Sequence, residues 1–112
     1  MRHVERTIIG AGVGGAGFTS SPLNVDDKEV VTIEASWSGF DAADGKLIFE
    51  RSLDGISWEE LLTCDITLRD PTGVKSQDFC KPPYARLRAT WVPGSVTAGL
   101  ITLTSRAKND RP

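Results

Sequence analysis

Hydrophobic and polar residues alternate with a period of two along much of the chain. In residues 29–37, Val31, Ile33, Ala35 and Trp37 fall on one side and Thr32, Glu34 and Ser36 on the other, the pattern of a half-buried strand. Residues 46–52 repeat it, with Leu47 and Phe49 opposed to Lys46, Glu50 and Ser52, and Ile48 as an apolar exception. The clearest alternation is in 84–92, where Ala85, Leu87, Ala89 and Trp91 point one way and Arg86, Arg88 and Thr90 the other. Residues 7–9, 58–62 and 66–68 are shorter strand candidates, and 98–105 form a last strand rich in Thr, Ile and Leu. Turn residues punctuate these runs at Ser38-Gly39, Asp44-Gly45, Asp54-Gly55, Asp70-Pro71-Thr72-Gly73 and Pro93-Gly94-Ser95, and Pro82-Pro83 blocks any helix there. Glu59-Glu60-Leu61-Leu62 leaves room for one helical turn at most. Short strands without a sustained helical period predict an all-β chain: an antiparallel β-sandwich, jelly-roll-like in outline.

Residues 10–17 break the pattern. Five of these eight positions are glycine, a composition that weakens both helices and central strands. It predicts an extended arm over 1–17, a sandwich over 18–108 and a frayed tail over 109–112. An arm with so little core of its own orders against a neighbour, so Ile8, Ile9, Val13 and Phe18 are its candidate partner contacts. Gly10-x-Gly12-x-x-Gly15 has dinucleotide-binding spacing, but Ala16 to Pro22 cannot open the helix that this site needs, so no cofactor is expected. Trp37 and Trp91 lie on the apolar sides of their strands and are expected in the core, with Trp58 covering its end.

The 112 residues suffice for one domain. Thirteen Lys and Arg against 15 Asp and Glu give a net charge of −2, which argues against a general nucleic-acid binder. No apolar run approaches the length of a membrane span, and Met-Arg-His-Val-Glu-Arg lacks the apolar core of a secretory signal. Cys64 and Cys80 are either one disulfide, closing a loop of about 16 residues, or two thiols in a reducing compartment. His3 is the only histidine, so neither a zinc site nor a Ser-His-Asp arrangement is expected. The chain is therefore read as a non-enzyme with no catalytic or metal-binding residues. Arg86 and Arg88 share a strand face, where they either grip an anion, pair with acidic neighbours across the sheet, or touch another subunit.

Ser52-Leu53-Asp54-Gly55-Ile56-Ser57-Trp58 is the most specific segment. Asp54 can accept backbone amides across the turn and Gly55 can adopt positive φ. This S-x-D-G-x-x-W pattern resembles the hairpin of discoidin-like β-sandwiches. A wider pattern covers residues 18–108 and comprises Phe18, Ser21-Pro22-Leu23, Ala35-Ser36-Trp37-Ser38-Gly39, the Asp54 hairpin, Pro83-Tyr84-Ala85-Arg86-Leu87-Arg88, Gly99-Leu100-Ile101-Thr102-Leu103-Thr104 and Lys108. It resembles small β-sandwich virion proteins of tailed bacteriophages, the capsid-decorating (cement) and related head and tail accessory proteins. The resemblance implies a structural protein that assembles in the host cytoplasm and stabilises the head shell by binding the major capsid protein or another virion protein. It also implies a homo-oligomer, with a trimer favoured. The three Trp residues and the discoidin-like hairpin keep carbohydrate binding open as an alternative, as is a role in tail or head completion.

Overall fold

The computed structural model describes residues 2–26, 28–61, 66–68, 70–80 and 85–110. These residues form ten strands and no helix: β1 (Arg2–Val13), β2 (Phe18–Thr19), β3 (Leu23–Asn24), β4 (Val30–Ser38), β5 (Gly45–Ser52), β6 (Glu59–Glu60), β7 (Ile66–Leu68), β8 (Gly73–Cys80), β9 (Arg86–Val92) and β10 (Leu100–Asp110). All strand pairs are antiparallel. Sheet A has the order β1-β10-β4-β8. Sheet B has the order β2-β9-β5-β6, with β3 also paired to β9 and β7 to β5. The chain is thus an all-β, antiparallel two-sheet sandwich.

The period-two strands bury the expected sides. Val31, Ile33, Ala35 and Trp37 of β4 meet Leu47 and Phe49 of β5 and Leu87, Ala89 and Trp91 of β9 in one core, joined by Ile101 and Leu103 of β10. Two aromatic contacts bridge the layers. Phe40, in the β4–β5 loop, stacks between Trp37 of sheet A at 6.1 Å and Trp91 of sheet B at 5.3 Å. Phe79 of β8 meets Phe49 of β5 edge-on at 5.2 Å. Both indole N–H groups find carbonyl acceptors, Trp37 Nε1 on Asp70 (2.6 Å) and Trp91 Nε1 on Gly14 (2.9 Å). These bonds remove the cost of burying an indole donor.

The glycine-rich N-terminal segment is extended, but as an edge strand of the sandwich rather than an arm outside it. Eleven residues of β1 stand in register with β10. The missing Cβ atoms explain why glycine is tolerated here. A Cβ on Gly10 would come within 2.8 Å of the Phe18 ring and one on Gly12 within 3.5 Å, so the bare backbone is the seat for that ring. A β-bulge between Ile8 and Gly10 inserts Ile9 as an extra residue. Ile9 drops into the core while Ile8 stays outside.

Three boundaries differ from the sequence reading. β8 is absent from it because Lys75 and Gln77 occupy the core-side positions opposite Ala35 and Ile33 and mask the alternation. Lys75 stays exposed at this core-side position, and a Lys there on an edge strand also blunts that edge against further pairing. β10 continues to Asp110, so 109–110 are paired with His3 and Arg2 instead of frayed. The segment 18–24 runs along β9 as β2 and β3, bridged by Ser20: its N–H donates to Ala89 O (2.7 Å) and its Oγ accepts from Ala89 N (2.9 Å). Cys80 ends β8 opposite Val30, whereas Cys64 lies outside the described residues.

Candidate functional site

The outer faces of the two sheets differ in chemistry. On sheet B, the register places Glu50 of β5 directly opposite Arg88 of β9. Arg88 Nε donates to Glu50 Oε1 at 3.0 Å and Nη2 to Oε2 at 3.5 Å. Thr90 Oγ1 donates to the same Oε1 at 2.9 Å, and Thr19 and Thr90 hydroxyls lie 3.1 Å apart. The Arg88 guanidinium also covers the half-buried Trp58 ring at 4.0 Å from its centroid, a cation–π arrangement. Arg88 is therefore engaged within the chain, in the cross-strand pairing that its position permits. Arg86 turns back to its neighbour, Nη1 donating to Ala85 O at 3.2 Å.

The outer face of sheet A carries no such network in its upper half. Val13, Leu100 and Ser38 stand side by side across β1, β10 and β4, with Ala11, Thr102, Ser36 and Val74 in the next row. Val13, Leu100 and Val74 are exposed, and so is Ile8 one row further on. Of the four residues expected to touch a partner, the structure thus separates two pairs. Ile9 is buried and Phe18 packs against the core, while Ile8 and Val13 face outward. Val74 and Leu100 join them, and the sequence reading did not single them out. Leu100 was legible as the outward member of the Leu100–Ile101–Thr102–Leu103 alternation; Val74 was hidden with β8.

The loops at the sandwich ends use their carboxylates internally. Asp54 Oδ1 accepts from Ile56 N (2.8 Å) and Ser57 N (2.9 Å), and Ser52 Oγ donates to it at 3.0 Å while accepting from Gly55 N at 2.8 Å. Gly55 has φ of +79°, the left-handed conformation this turn needs. Asp41 holds the 97–98 segment through Thr97 N (2.8 Å), Thr97 Oγ1 and Ala98 N (3.3 Å). Asp44 holds Ser95 through its N–H (2.9 Å) and Oγ (2.8 Å). These hydrogen bonds favour the ionised form, so each carboxyl sits below the ordinary Asp value, chiefly through Thr97 for Asp41, Ser95 for Asp44 and Ser57 for Asp54. Gly10 and Gly12 lie in β1 with Phe18 against them, and Gly15 follows in a turn, so the dinucleotide spacing has no helix N-terminus behind it.

No family model matches the sequence, and no curated protein matches it. Solved structures do resemble the fold. The SPBc2 prophage-derived protein YomS superposes with a TM-score of 0.63 at 12% identity, over 97% of this chain and 96% of that one. The cleaved adhesin domain of Lys-gingipain from Porphyromonas gingivalis gives 0.58 at 10% identity, over 91% and 73%. A chain from the Bacillus endospore appendages, described as disulfide-linked pili, gives 0.50 at 10% identity, over 97% and 89%. At these identities the likeness shows a common β-sandwich fold, shared with a prophage-derived protein from end to end.

Proposed function

We propose that this chain is a non-enzymatic virion structural protein of a tailed phage, a decoration protein that binds the head shell and holds neighbouring shell subunits together. The observation that carries the reading is the end-to-end match with a prophage-derived protein at nearly equal length. Each chain is spanned almost completely by the match, so the shared unit is the sandwich itself. On a repeating shell, many weak surface contacts add through multivalency. The chemistry of the loops agrees with a non-enzymatic role: Asp41, Asp44 and Asp54 spend their carboxylates on backbone amides and hydroxyls. The partner is the major capsid protein or another virion protein, the place is the virion, and assembly occurs in the host cytoplasm. The resemblance in sequence implies a homo-oligomer, with a trimer favoured.

Immunogold labelling of density-gradient-purified particles, with antibody to this chain, tests the reading. Label repeated over the heads supports decoration. Label confined to tails or to the head–tail junction assigns the chain to tail or head completion. Particles without the chain refute the virion assignment.

One observation favours glycan binding as a second reading. Trp58 is half-buried at the surface of sheet B beside the Arg88–Glu50 pair, which places an aromatic ring next to charged hydrogen-bonding groups. A glycan-array signal lost in a folded Trp58→Ala variant is its expected result, and a blank array with the native protein eliminates it.

A further inference from the structure

Six large hydrophobic side chains stand exposed among the described residues, and four of them project from one surface. Ile8, Val13, Val74 and Leu100 lie on the outer face of sheet A and are 66%, 56%, 60% and 61% exposed. The two rows that hold Val13, Leu100 and Val74 contain no charged residue. Along β4 the small side chains Ser36 and Ser38 form the floor of a trough of about 380 Å³, with Leu100 and Thr102 on one bank and Val74 on the other. Beyond the neutral rows, Glu34 of β4 stands in the row of Ile8, Thr104 and Ser76, and the next row has Arg106 on β10 and Asp78 on β8, with Thr32 between them donating to Asp78 Oδ1 at 2.7 Å.

We propose that this face binds a second copy of the same chain, about a two-fold axis parallel to the strands. Such an axis exchanges left and right while keeping each row at its own level. It lays β10 of one copy over β4 of the other, and β1 over β8. Leu100 and Thr102 then enter the second copy's trough over Ser38 and Ser36, and Val74 meets Ala11. Arg106 arrives at the second copy's Thr32–Asp78 pair. In the neutral rows each large group meets a small one, Glu34 faces the second copy's Thr104, Arg106 approaches Asp78, and the two-fold repeats every contact. Twisted sheets stack face to face in this way at about 10 Å separation and about 30°.

The area sets the strength. Four strands about 4.8 Å apart and four rows about 7 Å apart cover about 500 Å² per copy. The total of about 1,000 Å² is at the lower bound for a specific interface, so the pair is reversible. Self-complementarity about one axis is the reason to assign a second copy rather than an unrelated protein. The outer face of sheet B, whose Arg88, Glu50 and Thr90 are already bonded to one another, has no comparable neutral patch.

Sedimentation velocity on the full chain, from about 5 to 500 μM, tests this. The expected result is a monomer–dimer equilibrium. Leu100→Glu raises the dissociation constant at least about tenfold, and Leu53→Glu, an even more exposed site on the opposite sheet's hairpin loop, leaves it unchanged. Arg106→Glu weakens the pair, and adding Asp78→Lys recovers it. Circular dichroism melts confirm that each variant is folded, and Val74→Glu replaces Leu100→Glu if that variant is not. A monomer at every concentration, a trimer, or a dimer insensitive to both face variants would overturn the proposal.

Discussion

Gly45 and Trp91 offer a quantitative test of the core. Gly45 opens β5, and a Cβ built on it would lie 2.1 Å from Trp91 Cη2, 2.9 Å from Cζ3 and 3.0 Å from Cζ2. Ordinary van der Waals contact begins near 3.4 Å, so the indole would have to retreat by more than 1 Å. It has nowhere to go: Trp91 is fully buried, its Nε1 is bonded to Gly14 O and its ring is stacked on Phe40. Overpacking of this kind costs about 1–3 kcal/mol. Against it stands the gain from restricting the unfolded chain, about 0.4–1 kcal/mol for Gly→Ala where the backbone permits. Gly45→Ala should therefore destabilise by about 1–2 kcal/mol. Trp91→Phe removes the atoms of the clash, at the cost of an orphaned Gly14 carbonyl and lost contact area, about 1–3 kcal/mol for the hydrogen bond alone. In that background Gly45→Ala should be neutral or mildly stabilising. The double-mutant cycle should thus show a coupling of about 1–3 kcal/mol, read from urea unfolding followed by far-UV circular dichroism. Additivity within about 0.5 kcal/mol would refute the contact.

Removal of residues 1–17 deletes β1, Ile9 from the core and the Gly14 carbonyl that accepts from Trp91. The 18–112 fragment should show no cooperative thermal transition; a melt within a few degrees of the full chain would restore the reading of this segment as a dispensable arm. Acid should destabilise the hairpin through Asp54. Its carboxyl is lowered from 3.8 in the fold, so the ionised form stabilises above the unfolded value and that stabilisation is lost as pH falls through the folded one. Asp41 and Asp44 carry the same sign. Asp54→Asn should lower the thermal midpoint at neutral pH and flatten its decline as pH falls below the ordinary Asp range; an unchanged slope there would contradict the assignment.

The sandwich was legible where one side of a strand faces water. In β4, β5 and β9 the alternation of Val31, Ile33 and Ala35, of Leu47 and Phe49, and of Leu87 and Ala89 marks the core side directly. It failed where tertiary contacts replace local pattern. Gly10 and Gly12 read as strand breakers because nothing in their neighbourhood announces that Phe18 will need the space of their side chains. β8 was hidden because Lys75 and Gln77 fill inward positions at an edge, where the sandwich is open enough to admit them. Phe40, which links both tryptophans, sits in a loop that carries no periodicity. The candidate surfaces divide similarly. The Arg88–Glu50 pairing is implied by two adjacent alternating strands, whereas the apolar face of sheet A gathers Val13, Val74 and Leu100 from strands distant in sequence.

The position of β10 between β1 and β4 has a consequence for how the protein is made. β1 and β4 never pair with each other; β1 is joined to sheet A only through β10, the last of the ten strands in chain order. β1 must therefore wait unpaired, with Ile8, Ile9 and Val13 uncovered, until residues about a hundred positions later are made and zip against it. Sheet B can gather its β5–β9 centre earlier, since both strands are complete by Val92. Folding should thus run from sheet B to sheet A, with the late closure of β10 setting both the rate and the interval of exposure to aggregation.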